Sequence, residues 1–321
     1  MNDETVHCCI ECGEGGVSLK LCKACMVAKY CSADCQNKHW PKHKKECKQR
    51  SAELRDEALF KDPPPKEECP ICFLPMPEKL IYCISLPPAT ILSVPIFDLA
   101  QANEALANMV MEVYYTCCGT NICGGCVYSF AQSGNEETCP FCKARTGGKT
   151  HDDRIGEVMK RVDVNDAGAM YILGCYYYHG HLGLQQDLAK GVELWTQAAK
   201  LGSSKAHFAL GVYYHNGGAL KKAKFHYEAA AMAGHEEARS KLGGIEGSSG
   251  NVELPLERAI KHWKIAASAG HFHSMDHLRT GFEQGVISRD AIDSTLTAYN
   301  SSCKEMRSEA RDAFIRMWWQ K

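Results

Sequence analysis

Eight residues with soft donor atoms stand in four pairs near the start of the chain: Cys9-x-x-Cys12, Cys22-x-x-Cys25, Cys31-x-x-x-Cys35 and His43-x-x-x-Cys47. A Cys-x-x-Cys pair delivers two thiolates from one tight turn, and tetrahedral zinc takes four such ligands. Four pairs therefore amount to two closed sites. No coordination position is left for a water or a substrate, so the expected role of the metal is structural. Its binding energy is then folding energy for a segment too short to bury a core.

A second run carries the same chemistry with another spacing. Cys69-Pro-Ile-Cys72 opens it, Cys139-Pro-Phe-Cys142 closes it, and Cys117-Cys118-Gly119-Thr120-Asn121-Ile122-Cys123-Gly-Gly-Cys126 lies between. Of the 19 cysteines, 17 precede residue 143, and only Cys175 and Cys303 follow. Cysteines bunched as repeated pairs, with no apolar leader behind Met1, point to zinc-loaded thiolates in a reducing compartment rather than to a disulfide scaffold. Lys+Arg 37 balance Asp+Glu 38 to a net charge of -1, which argues against bulk attraction to nucleic acid. No apolar run reaches the ~18 residues that a membrane helix needs. The expected setting is intracellular, in cytoplasm or nucleus, with no signal peptide or transmembrane segment and no membrane or nucleic-acid partner.

The elements that must position these cysteines follow from composition shifts. A charged, helical stretch runs from Lys48 to Lys61, and Asp62-Pro63-Pro64-Pro65-Lys66-Glu67-Glu68 then favours an extended spacer. The 44 residues between Cys72 and Cys117 include a predicted helix from about Phe97 to Val113, with Leu99, Ala102, Leu106, Met109 and Val110 apolar; Cys83 in this insert reads as a small buried residue. Gly147-Gly148-Lys149-Thr150 loosens the chain again before a helical half.

That half repeats itself. Ala169-Met-Tyr-Ile-Leu173-Gly174 recurs as Ala206 to Gly211 and as Ala238 to Gly243. Each is followed by a second element: Trp195 to Ala199 ending at Gly202, Tyr227 to Ala230 ending at Gly234, and Trp263 to Ala267 ending at Gly270. Small residues let paired helices approach, the aromatics fill the gaps, and the terminal glycines suit a left-handed turn. The pattern resembles Sel-like repeats, relatives of the tetratricopeptide family, over about Asp166 to Leu278. The third copy departs from it, because Gly243-Gly244-Ile-Glu-Gly247 replaces the aromatic-rich end of its first helix. Arg307 to Trp319 reads as an amphipathic helix with Ala310, Phe314, Met317 and Trp318 near one face, suited to capping the solenoid.

The first ligand run resembles the MYND zinc finger along its whole length. The resemblance implies interleaved chelation, with Cys9, Cys12, Cys31 and Cys35 on one zinc and Cys22, Cys25, His43 and Cys47 on the other. His39 is the nearest competitor to His43. In members that bind proline-containing peptides, the positions of Gln36 and Trp40 line the groove; Trp40 could equally be a packing residue that shields zinc. MYND fingers also occur in SET-domain lysine methyltransferases, but nothing after residue 67 looks like that domain.

The second run resembles a RING finger, which implies another cross-brace. Cys69, Cys72, Cys123 and Cys126 would hold one zinc; Cys139 and Cys142, completed from Cys117 and Cys118, would hold the other. The usual Cys-x-His is absent, and ligation by two adjacent cysteines is sterically awkward, so a water or a weak second site remains the alternative there. By position, Ile71 and Pro140 would receive a ubiquitin-conjugating enzyme, and Lys143 would stand where active members place a hydrogen-bonding cation.

The expected fold is mainly α: an α-helical repeat solenoid preceded by two small cross-brace zinc fingers. The expected organisation is a MYND-type finger over 9–47, a charged helix and Pro-rich linker over 48–66, a RING-like finger with a long first-loop insertion over 67–146, Sel-like repeats over 151–280 and C-terminal capping helices over 281–321. Zinc is the expected cofactor, two ions per finger. Two functions fit: a RING-type ubiquitin ligase, without catalytic residues of its own, that recruits partners through the MYND groove and the repeats, or a non-enzymatic scaffold joining protein partners.

Overall fold

Small residues at fixed positions decide how the helical half packs. In the computed structural model, which describes residues 9–15, 18–76, 112–248 and 253–319, the repeats form the antiparallel pairs α4 (Ala167–His179) with α5 (Leu188–Lys200), α6 (Ser204–Asn216) with α7 (Leu220–Met232), and α8 (Glu236–Gly247) with α9 (Glu253–Ser268). In each first helix one glycine faces the aromatic ring of its partner: Gly174 meets Trp195, Gly211 meets Tyr227 and Gly243 meets Trp263, and a Cβ at any of the three would collide with the ring. Trp195 and Tyr227 are buried. Truncating such a residue to alanine costs about 3–5 kcal/mol. Asp166, Ser203 and His235 cap the first helices by accepting from the backbone N–H three residues on. Gly202, Gly234 and Gly270 end the pairs at φ of 89°, 97° and 94°, as the sequence predicts.

The third repeat keeps its helices by a different means. Where the first two copies carry tyrosines, it buries Glu246, which pairs with Lys224 of α7 and with Arg258 and His262 of α9. Burial alone would raise the Glu246 carboxyl, but the hydrogen bonds from His262, Lys224 and Arg258 hold it well below the ordinary carboxylate range. An ion network thus stands where the first two copies place a tyrosine.

Two compact units divide the chain, Met1–Lys61 and Asp62–Lys321. In the first, an antiparallel hairpin of β1 (Lys20–Leu21) and β2 (Lys29–Tyr30) leads into the 27-residue helix α1 (Ala33–Leu59), whose N-cap Ser32 accepts from the Cys35 N–H.

The second unit begins with the extended segment of Pro63 to Pro65. That segment runs along the third repeat: Lys66 Nζ donates to the Ala269 carbonyl at 2.7 Å and pairs with Glu236, at the C-terminus of α9 and the N-terminus of α8. A hairpin of β3 (Glu112–Tyr115) and β4 (Thr120–Cys123) follows, then α2 (Gly124–Gln132) and α3 (His151–Val162). Of the helix predicted from Phe97, only Glu112 and Val113 are described, and they open β3; the rest, with Cys83, lies outside the described residues. After the repeats, α10 (Phe272–Glu283) and α11 (Arg289–Glu305) pack on α9, while α12 (Glu309–Trp319) packs on α2. Among the described residues no helix is long and apolar enough to cross a membrane.

Candidate metal centres

Cys123-Gly-Gly-Cys126 opens α2, but the other four Cys-x-x-Cys turns are built alike. The residue after the second cysteine turns left-handed: Gly13 (φ 74°), Met26 (57°), Phe73 (55°) and Lys143 (62°). Its N–H donates to the carbonyl of the first cysteine, at 2.8 Å for Gly13, Met26 and Phe73 and at 3.0 Å for Lys143. That curl aims both thiols of each pair to one side. Three of the four positions carry a side chain where glycine would relieve strain of about 1–2 kcal/mol.

The turns converge into four groups: Cys9, Cys12, Cys31 and Cys35; Cys22, Cys25, His43 and Cys47; Cys69, Cys72, Cys123 and Cys126; and Cys117, Cys118, Cys139 and Cys142. Within each group the donor atoms all lie within 4.8 Å of one another. A tetrahedral zinc with Zn–S bonds of about 2.3 Å separates its sulfurs by about 3.7 Å, and a sulfur from an imidazole nitrogen by about 3.5 Å. The spacings agree. Sulfurs are 3.6 Å apart for Cys12 and Cys31, 3.6 Å for Cys22 and Cys47, 3.8 Å for Cys72 and Cys123 and 3.8 Å for Cys118 and Cys139; Cys25 Sγ is 3.4 Å from His43 Nε2. Four soft donors at that spacing fit zinc, and the closed sets leave it a structural role.

In the first module α1 serves both groups. Cys35 in its first turn reaches one, while His43 and Cys47, one turn apart, reach the other. His39 stays outside: its Nδ1 is 2.9 Å from the Tyr30 hydroxyl and its ring stacks on His43. Gln36 and Trp40 share a face of α1 one turn apart, with Gln36 half-buried and Trp40 40% exposed.

In the second module the adjacent cysteines both join one group. The turn over β3 and β4 lets them diverge, with Gly119 at φ 70° and its N–H donating to the Tyr115 carbonyl; Cys118 Sγ faces Cys139 and Cys117 Sγ lies 3.4 Å from Cys142. Ile71 is 38% exposed, whereas Pro140 is buried. Lys143 Nζ donates to the Pro140 carbonyl at 2.9 Å and lies 4.4 Å from the centre of the Phe130 ring.

The helical body grips this second module, which no local pattern announces. Arg161 of α3 donates to the carbonyls of Thr116 and Cys117 and pairs with Asp166. Tyr114 donates to that same Asp166 at 2.7 Å, and Lys205 in the first turn of α6 binds both oxygens of buried Glu112. Arg311 of α12 reaches the sulfurs of Cys72 and Cys123. A basic residue beside the apolar Phe314 face was the one visible sign of that last contact.

The MYND finger model matches residues 9–47, and the Sel1 repeat model matches 167–203, 204–235 and 238–271. The chain is similar to histone-lysine N-methyltransferase SMYD3 of Homo sapiens, 58% identical over 40 residues, and to the same enzyme of Mus musculus, 51% identical over 39 residues; each match covers 12% of this chain and 9% of the relative. It thus spans less than a tenth of the length of these curated relatives. Among solved structures, a Sel1 repeat protein from Oxalobacter formigenes aligns with a TM-score of 0.43 at 20% identity, over 57% of this chain and 71% of that one. The c5321 antigen of uropathogenic Escherichia coli strains aligns with a TM-score of 0.40 at 17% identity, over 61% and 43%. This chain therefore carries a zinc-binding MYND finger followed by three Sel1 repeats, a combination suited to protein interaction.

Proposed function

We propose that the protein is a zinc-dependent scaffold that joins two protein partners, one through the MYND finger and one through the repeats. The finger would take a proline-containing peptide across Gln36 and Trp40. Trp40 carries this reading: its indole stands edge-on to His43 yet keeps 40% of its surface exposed, on a module where Ile10, Met26 and Val27 are each more than half exposed. On the repeats, Leu220 and Phe225 offer apolar surface at 52% and 58% exposure. The organisation inferred is a finger over 9–47, a second finger over 67–146 joined by the segment 48–66, repeats over 151–280 and C-terminal helices over 281–321, with the sixteen residues of the four donor groups as ligands.

A RING-type ubiquitin ligase is the second reading. Exposed Ile71, between two cysteines of one donor group, favours it; the burial of Pro140 and the engagement of Lys143 Nζ with the Pro140 carbonyl and the Phe130 ring weigh against it. Binding of a proline-containing peptide by the zinc-loaded chain, compared with Trp40→Ala, tests the first reading. Losing such an anchor should cost about 2 kcal/mol or more, roughly thirtyfold in affinity, and unchanged binding would overturn the groove. Autoubiquitination with a panel of conjugating enzymes tests the second: transfer by the wild type that Ile71→Ala abolishes while zinc stays loaded would replace the scaffold with the ligase.

A further inference from the structure

Arg311 is 1% exposed, and every one of its contacts is made inside the protein. Its Nε lies 3.4 Å from Cys123 Sγ; Nη2 lies 3.6 Å from Cys72 Sγ and 3.3 Å from the Leu74 carbonyl; Nη1 lies 2.9 Å from the Pro75 carbonyl and 2.7 Å from that of Met306. Among the described residues no carboxylate pairs with it. A guanidinium does not give up its proton inside a protein, and a buried charge without a countercharge is strongly disfavoured. The contrast with Arg161 is instructive, since that arginine is neutralised by Asp166.

The countercharge must therefore lie in what Arg311 touches. Zn2+ with four thiolates carries two net negative charges, spread over sulfurs that accept hydrogen bonds. The Cys69, Cys72, Cys123 and Cys126 group supplies those sulfurs, and Arg311 reaches two of them. The surrounding packing is cut to this contact. A Cβ on Gly125 of α2 would sit 2.7 Å from the Arg311 backbone nitrogen, so the helices touch along their backbones, and buried Phe314 meets Tyr128 of α2 at 6.1 Å between ring centres.

We propose that Arg311 is a zinc-dependent latch: it binds the loaded zinc–thiolate cluster of Cys69, Cys72, Cys123 and Cys126, so that α12 stays docked on α2 only while that site holds its metal. Without zinc nothing gathers the four sulfurs into one anionic cluster, and the guanidinium loses the partner that makes its burial tolerable. The second zinc group, braced through Arg161 and carbonyl oxygens, exerts no such hold on α12.

Hydrogen exchange of the 309–319 segment in the full-length protein tests this. Cys72→Ser and Arg311→Met should speed exchange there at least tenfold, while Cys117→Ser, which damages the other group, should leave it unchanged. Arg311→Met should also release one zinc about 10- to 100-fold faster to a chromogenic chelator, with Arg311→Lys in between because an ammonium restores charge without the fork. If 309–319 stays protected in a Cys72→Ser protein shown to hold one zinc fewer than wild type, the latch is overturned. Equal loss in Cys117→Ser overturns it too, because the two sites would then be melting together. Should Cys72→Ser fail to fold, unchanged zinc release from Arg311→Met is sufficient to refute it.

Discussion

The first and second cysteine-rich modules each close two Cys-x-x-Cys turns with a left-handed residue after the second cysteine and the same backbone bond, yet they are held in opposite ways. The first belongs to the Met1–Lys61 unit, where the buried side chains among the described residues are mostly those of its two donor groups together with Ala28 and Tyr30. Metal and a short hairpin carry it. The second adds Met76, Ile122 and Val127 to its cysteines and is clasped by side chains from α3, α4, α6 and α12, through Arg161, Asp166, Lys205 and Arg311. One local motif can thus serve as a whole fold or as a part set into a larger one. What surrounds it decides how much of its stability depends on zinc.

The largest effect should come from removing a donor where the buried cluster is mostly the donor residues themselves. Structural zinc contributes about 10–16 kcal/mol of apparent binding free energy in small fingers. Cys22→Ala opens a group whose four members are all buried. It should unfold the first module and lower the zinc content, while circular dichroism retains the helical signal of 62–321. Loss of most helicity would break the comparison, because the modules would then share a core.

The sequence made one half of this contrast readable and hid the other. Donor residues in the first module sit three to ten residues from the next, and repeats recur at fixed offsets, so both appear as local spacing. The grip on the second module does not: Arg311 meets Cys72 across 239 residues and Lys205 meets Glu112 across 93. Single charged residues on amphipathic helices look like solvated surface until tertiary packing buries them. The adjacent Cys117 and Cys118 looked awkward for a related reason, since only the β3–β4 turn with Gly119 shows how neighbouring thiols can diverge.

A smaller effect should separate metal from packing by pH. Burial, with the His207 ring beside it, lowers His226 to about 4, and burial lowers His235, the N-cap of α8, to about 3. Both are depressed below the ordinary 6.5, so the unfolded chain binds more protons between the two values. Stability is complete above about pH 6.5 and is lost as pH falls through the folded-state values. His226 alone should cost the repeats about 2 kcal/mol between pH 7 and pH 5. Urea midpoints followed by far-ultraviolet circular dichroism check this, and His226→Gln should flatten the slope. A midpoint independent of pH over that range would mean that His226 is not held neutral by its site.

The smallest effect is the most local. Met26 closes its turn at φ 57°, where glycine pays no steric penalty, and its side chain is 56% exposed. Relief of about 1–2 kcal/mol of left-handed strain, set against the extra freedom glycine gains in the unfolded chain, predicts that Met26→Gly stabilises the first module by about 0.5–1 kcal/mol. Phe73 occupies the equivalent place in the second module at φ 55° and is 70% exposed, so Phe73→Gly relieves the same local strain. The readouts should nevertheless differ. In the first module the turn is a large share of what resists unfolding, so chelator-driven zinc loss from Met26→Gly should slow by roughly two- to fivefold, the kinetic equivalent of that free energy. In the second, Arg311 holds the turn in place through Cys72, Leu74 and Pro75, and zinc loss there waits on breaking those contacts as well. Phe73→Gly should therefore change its release rate less than Met26→Gly changes its own. Equal slowing in both would show that the bracing contributes nothing to metal retention and that each turn governs its own zinc.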